Sequence, residues 1–250
     1  MEFSYLNDKD LLFFSKHILL PSIGIEGQQR LNSAEVSIFG LGGLGNLLST
    51  YIASSGIRKI NIIDFDIVEE TNLQRQINFS TDDIGLSKAD VIETYLKNKF
   101  SSLNIQKYKK KIESSDEVKA IVSNSDVVLD GTDNFLVRKI INRACVENNK
   151  KLIVGAVEGY TGQLMTMISS ESPCYECIYE DLIDSTSCSD AGVLAPLVGM
   201  ISSMMALECI NILTGNNSSF DKKLLVINGL NFSVDSINTK KNQKCKICNN

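Results

Sequence analysis

An α/β fold with a Rossmann-like, mostly parallel sheet and crossover helices, continued by antiparallel strands, is what this chain predicts. Three observations carry that expectation. Apolar runs of strand length alternate with longer segments of helical period. A glycine turn joins the first strand to the first helix: Gly40, Gly42 and Gly45 keep the G-x-G-x-x-G spacing, which closes a tight turn and lets backbone N–H groups approach a phosphate at a helix N-terminus. Asp64 ends the second strand nineteen positions after Gly45, close to the roughly 20 residues at which a carboxylate meets ribose hydroxyls. Taken alone, that spacing suggests NAD.

The elements follow in order. Residues 1–34 are expected to be helical. Strands are predicted at 36–39, 59–63, 105–108, 126–129 and 152–156, with helices between them at 44–54, 86–99, 116–123 and 135–148. Ser114 precedes the third of these helices and Glu117 follows three residues on, a capping-box spacing. Later strands at 163–168, 223–227 and 231–237 read as antiparallel, joined by turn residues that include Asn228-Gly229. An apolar helix from 196 to 213 stops at Gly215. No repeat, low-complexity tract or linker divides the chain, so residues 1–250 are expected as one domain: N-terminal helices to 34, a nucleotide-binding α/β part over 35–160, and a final part over 161–250.

With 250 residues, 43% hydrophobic and 22% charged, the composition is that of a soluble globular protein with a sizeable core. A net charge of −5 argues against a broad nucleic-acid or anionic-membrane surface. The opening MEFSYLNDKD is acidic where a secretory signal is basic then apolar, so a cytoplasmic location is expected. The uncharged stretch 191–207 contains Pro196, Gly199 and serines and falls short of the roughly 20 apolar residues of a membrane span. A helix apolar nearly all round is central or packed against another subunit, which makes a homodimer plausible.

The seven cysteines sort into three groups. Cys174 and Cys177 form one C-x-x-C, and Cys245 and Cys248 form another near the C-terminus. Four thiolates suit a closed tetrahedral zinc site that pins the tail and leaves no open position for chemistry. In a reducing cytoplasm disulfides across these pairs are disfavoured, and redox activity needs one pair at a helix start. Cys145 and Cys209 lie in apolar helical patterns and read as small buried hydrophobes. Cys188 sits in the polar segment DSTSCSDAG; nothing adjacent supplies a cation to lower its pKa, so an exposed nucleophile and an incidental surface cysteine stay open alternatives.

Arg75, Lys88 and Asp133 all fall just after strands or at helix starts, the edge of an open α/β sheet where ligands bind. Two cations can neutralise a triphosphate and an approaching carboxylate, and an aspartate at a strand end can hold magnesium. Each residue alone reads as a surface cation or a helix cap. Their joint placement points to nucleotidyl transfer, which a dehydrogenase does not need.

GLGGLG, DFD, TNLQRQ, LSKAD, VVLDGTDN, PCYEC, SCSDAGVLAPLVG and the closing CKIC, with HILLPSIGIEGQQRL near the start, together resemble the ThiF/MoeB/HesA family of ubiquitin-activating-like enzymes over almost the whole chain. The resemblance implies an ATP-dependent reaction. The C-terminal glycine carboxylate of a ubiquitin-fold sulfur carrier ending in Gly-Gly attacks the α-phosphate, giving an acyl-adenylate and pyrophosphate. By resemblance Asp64 binds the ribose, Asn72, Arg75 and Lys88 the phosphates, and Asp133 Mg2+. Gly40, Gly42, Gly43 and Gly45 line the nucleotide, Asp66 and Gln76 belong to the same binding set, and the four paired cysteines bind Zn2+. It also implies a homodimer in which an N-terminal arginine reaches the neighbouring subunit's ATP, a carrier-binding role for 161–250, and a sulfur-donor protein as a further partner.

The chain departs from that pattern at FFSKHILL, where Lys16 stands in place of the reaching arginine and His17 in place of a glutamine. Lysine keeps the charge without the planar fork. Gly131 replaces a residue that is commonly cysteine. Cys188 matches the loop cysteine that forms an acyl-disulfide or thioester with the carrier in some members. The motifs lean slightly toward a thiamine-type over a molybdopterin-type enzyme. Three alternatives stay open: adenylation of a peptide terminus in modified-peptide biosynthesis, a non-catalytic carrier-binding scaffold, and an NAD-dependent oxidoreductase.

Overall fold

The computed structural model describes residues 6–100, 102–179 and 192–249. Eight strands form one continuous sheet in the order β3-β2-β1-β4-β5-β6-β7-β8. The parallel half comprises β1 (Glu35–Phe39), β2 (Lys59–Ile63), β3 (Asn104–Tyr108), β4 (Val127–Asp130) and β5 (Lys151–Glu158). From β5 onward the pairing turns antiparallel through β6 (Thr161–Met167), β7 (Lys223–Asn228) and β8 (Ser233–Asn238).

Helices cover both faces. α1 (Asp8–Phe13), α2 (Ser15–Ile18) and α3 (Gly24–Ser33) lead into β1, and α4 (Gly43–Ser54) and α5 (Lys88–Lys99) cross over to β2 and β3. α6 (Ser115–Val122), α7 (Phe135–Glu147) and the short α8 (Tyr175–Ile178) follow, and α9 (Ala195–Thr214) closes the first face. One apolar layer unites Leu48, Ile52, Ile38, Ile62, Ile92 and Met205; the other unites Phe39, Val128, Ile141, Val118 and Tyr175. The inner parallel strands β1, β2 and β4 are buried along nearly their whole length, whereas the edge strand β3 buries only Ile105.

The expected elements are present, with shifted bounds that have local causes. β4 begins one residue late because the Asp126 carboxylate accepts the Glu35 N–H at 2.9 Å. β8 begins two residues late: 229–232 form a turn in which Gly229 N–H donates to Tyr160 O at 2.7 Å and Phe232 adopts φ +57°. Ser114 and Glu117 do cap α6 reciprocally.

α9 is long and apolar enough by composition to cross a membrane. In this fold Leu197, Ile201, Met205, Cys209 and Ile212 are buried against the sheet and α4. Gly155 on β5 permits that contact, since a methyl group there would fall 2.4 Å from Met205 Sδ. The helix ends at Gly215 in the left-handed region, φ +86°.

Candidate nucleotide site and cysteine centre

A cavity of about 1050 Å3 opens along the C-terminal ends of β1, β2, β4 and β5. Gly40, Gly42, Gly43, Asp64, Asp66, Asn72, Arg75, Gln76, Lys88 and Asp133 all line it, so the fold brings together residues spread over almost a hundred positions.

The glycine turn is shaped by contact as much as by dihedrals. Gly40 has φ +80°, and a methyl group there would meet the Gly131 carbonyl oxygen at 3.1 Å. Gly42 precedes α4 and Gly43 opens it, beside the cavity. Gly45 corrects the expectation. It does not line the cavity; a Cβ there would fall 1.8 Å from Gly40 O, so its role is to let α4 close against the turn.

Both Asp64 oxygens accept backbone N–H groups, Leu41 at 2.6 Å and Asp66 at 2.8 Å. Burial nevertheless pushes its carboxyl above the ordinary carboxylate value, against the pull of those bonds and of Lys88. Lys88, buried at the start of α5, pairs with Asp66 at 3.0 Å. The turn after Glu70–Asn72 presents the next group: Arg75 Nη1 donates to Thr71 O at 2.9 Å, and Gln76 is buried with its Oε1 lacking a partner. An orphaned buried acceptor on a residue that lines the cavity fits a wall made for a polar ligand.

Asp133 stands exposed on the loop between β4 and α7. The cap of α7 is Asn134, whose Oδ1 accepts Val137 N–H at 3.0 Å, so Asp133 is not the cap that the sequence allowed. An exposed carboxylate facing the cavity suits a hydrated divalent cation that keeps several waters, so this position fits Mg2+.

Sequence reasoning missed the lining cations Arg138, Lys110 and Lys111, and the buried Asp130 beneath them. Asp130 ends β4 fully buried beneath the same loop: its Oδ1 accepts Thr132 N–H at 2.9 Å and Oγ1–H at 2.7 Å. Burial drives that carboxyl upward, opposed by the Arg138 charge. Arg138 on α7 donates from Nε to Thr132 O at 3.0 Å and from Nη2 to Thr132 O and, at 3.1 Å, Gly155 O. Lys110 and Lys111, from the basic run after β3, also line the cavity. The D-G-T-D-N-x-x-x-R spacing was legible, but nothing in it said that the arginine turns inward.

Lys16 lies exposed on α2 and does not line the cavity of its own chain. Cys188 lies outside the described residues.

The four paired cysteines converge. Sγ atoms lie 3.8 Å apart for Cys174 and Cys177, 3.7 Å for Cys174 and Cys245, and 3.4 Å for Cys177 and Cys248, all four within 4.8 Å of one another. A tetrahedron with Zn–S of about 2.3 Å has an edge of about 3.8 Å, so the donor set fits zinc. Buried Asn142 accepts Tyr175 N–H at 2.9 Å, and Asn242 N–H donates to Cys177 Sγ at 3.4 Å, which positions both loops. None of the four cysteines lines the cavity.

A glycine turn at the C-terminal edge of a doubly covered sheet, with cations and carboxylates around one cavity, defines a Rossmann-like nucleotide-binding protein. The chain belongs to the ThiF family, whose model matches residues 14–247. It is 35% identical to the sulfur carrier protein ThiS adenylyltransferase of Escherichia coli K12, over 97% of each chain. It is 37% identical to a probable molybdopterin-synthase adenylyltransferase of Porphyra purpurea, over 89% of this chain and 59% of that one. With the adenylyltransferase and sulfurtransferase MOCS3 of Culex quinquefasciatus it shares 34% identity over 97% of this chain and 56% of the longer protein. The chain thus spans somewhat over half the length of two of these three relatives. Among solved structures, E. coli MccB bound to MccA-N7isoASN superposes with a TM-score of 0.84 at 25% identity, over 94% of this chain and 74% of that one.

Proposed function

We propose that this protein adenylates the C-terminal glycine carboxylate of a ubiquitin-like sulfur carrier with ATP, releasing pyrophosphate. The observation that carries the reading is the cavity in which the glycine turn, Arg75, Lys88 and Asp133 meet. Its volume, about 1050 Å3, lies just above the roughly 300–1,000 Å3 range of small-molecule sites, which leaves room for a nucleotide and the end of a peptide. The match to the ThiS adenylyltransferase along its whole length supports the substrate class.

The chemistry follows from charge. A carboxylate that approaches a triphosphate is repelled, so the residues must neutralise and align both partners; no general base is needed, because the nucleophile is already an anion. Amides of the glycine turn and the N-terminus of α4 receive phosphate oxygens. Arg75 and Lys88 face the charge that passes to the leaving pyrophosphate, with Asp66 holding Lys88 in place. Asp64, its oxygens already accepting two N–H groups, keeps remaining lone pairs for ribose hydroxyls. Asp133 would hold Mg2+, which when bound neutralises phosphate oxygens. The four thiolates would hold zinc as a closed structural site.

Lys16 would act across a homodimer, and Cys188 would receive or relay the carrier after adenylation, in a cytoplasmic thiamine-type or molybdopterin-type pathway. Adenylation of a peptide terminus is the second reading, supported by the superposition on MccB, a microcin C7 biosynthetic enzyme. ATP–pyrophosphate exchange measured with Gly-Gly-ended carriers and with short free peptides separates them. Carrier-dependent exchange and an adenylate of matching mass are expected. Exchange with free peptides alone would select the second reading, and carrier binding without exchange would leave a non-catalytic scaffold.

A further inference from the structure

Arg138 is a buried cation that the proposed reaction does not yet use. It is 7% exposed and lines the cavity from α7. Nε and Nη2 are committed to the neutral carbonyls of Thr132 and Gly155. Among the described residues Nη1 donates to no protein acceptor. Asp130 is near enough to act on Arg138 through charge, yet its Oδ1 serves Thr132 and its buried Oδ2 bonds nothing, so no ion pair closes around the guanidinium. Nη1 stays accessible from the cavity, so its two N–H groups can meet a bound anion there.

Position says which anion. By strand order, Arg75 and Lys88 belong to the β2 side of the cavity, the glycine turn and Asp133 to its middle, and Arg138 to the β5 side. Ala156, Gln163, Tyr175 and Tyr179 form the wall with Arg138, and the Tyr179 hydroxyl donates to Gln163 Oε1 at 2.6 Å. Beside the arginine that wall offers aromatic faces, an amide and a methyl group, and Glu158 at the end of β5 adds a negative charge that disfavours a polyphosphate. It suits an extended peptide end better than a polyphosphate.

We infer that Arg138 receives the carboxylate of the incoming peptide terminus through Nη1, while Nε and Nη2 hold the loop that bears Asp133. This deepens the adenylation reading and rests on it. The step is binding alone, with no bond made or broken, and it fixes a planar anion against a planar donor before the carboxylate meets phosphorus.

The test compares wild type, Arg138→Lys and Arg138→Gln with a Gly-Gly-ended peptide prepared as free acid and as carboxamide, and with ATP. Wild type should bind the acid about 10- to 100-fold tighter than the amide, the span of one charge-assisted contact. Arg138→Gln should lose that preference and Arg138→Lys keep part of it, with any loss of ATP affinity in either variant smaller than the loss for the acid. An undiminished preference in Arg138→Gln overturns the inference, as does a loss of ATP affinity equal to the loss for the acid, which would mark a purely structural arginine. A wild-type acid preference without any pyrophosphate exchange would defeat the adenylation reading and leave the anion receptor standing. Exchange without such a preference would do the reverse, and absence of both would overturn both.

Discussion

The two halves of the sheet are built on different terms. β1, β2 and β4 are buried along nearly their whole length, and the cavity sits at their C-terminal ends. β8, at the other extreme, is exposed at almost every position, with Val234 and Ile237 open to solvent beside Leu230 and Phe232 in the preceding turn. The parallel half is held by apolar burial between helical layers, and its rigidity fixes the site. The antiparallel half buries Leu164, Met165, Leu225 and Ile227 of β6 and β7 in the same core and opens to solvent only at its β8 edge, and the chain beyond it carries Cys245 and Cys248 into the cysteine cluster. Burial and site precision go together in the first half; the second half thins to a surface at β8.

The largest expected effect lies at the centre of the first half. Ile38→Ala, with Ile38 fully buried, should cost about 2–5 kcal/mol in urea unfolding, and a negligible loss would break the comparison. Next comes the site itself. Asp133→Ala should slow pyrophosphate exchange about 10²–10³-fold, the usual size of one charge-stabilising group, while leaving the melting temperature unchanged because the residue is exposed. A parallel drop in thermal stability would mean that the loop, not the carboxylate, is what matters.

Cys248→Ser should abolish stoichiometric zinc by elemental analysis and raise proteolysis of the tail, with ATP affinity at its wild-type value. Retention of one metal per chain would show that the cluster is not the anchor. A smaller and pH-dependent effect belongs to Asp130. Burial raises its folded-state pKa above the unfolded value, so its contribution is most favourable in acid and is lost as pH rises through the folded pKa. The stability of Asp130→Asn relative to wild type should therefore increase from about pH 4 upward; a decrease with rising pH would reverse the assigned sign. Smallest of all, Val234→Ala on β8 should fall within about 0.5 kcal/mol of wild type. A loss as large as that of Ile38→Ala would erase the distinction between the halves.

Much of this was legible in the primary structure because it is local. Period and run length place strands and helices, Ser114 and Glu117 mark a helix start, Gly215 marks a stop, and two C-x-x-C pairs announce a sulfur site. The cavity-lining residues Arg75, Lys88 and Asp133 were legible because each falls after a strand or at a helix start, and in an open α/β sheet those positions share one edge.

What the tertiary structure alone decided is long-range juxtaposition. Gly45 belongs to the glycine spacing but serves helix closure, a fact set by the 1.8 Å that separates a would-be methyl from Gly40 O. Arg138 and Gly155 meet because β4 and β5 are neighbours in the sheet. Asp130 is buried beneath a loop whose cap is Asn134. Sequence pattern is set by the chemistry of adjacent residues. Which side chains share a wall is set by strand order and helix packing, and those are fixed only when the whole core closes.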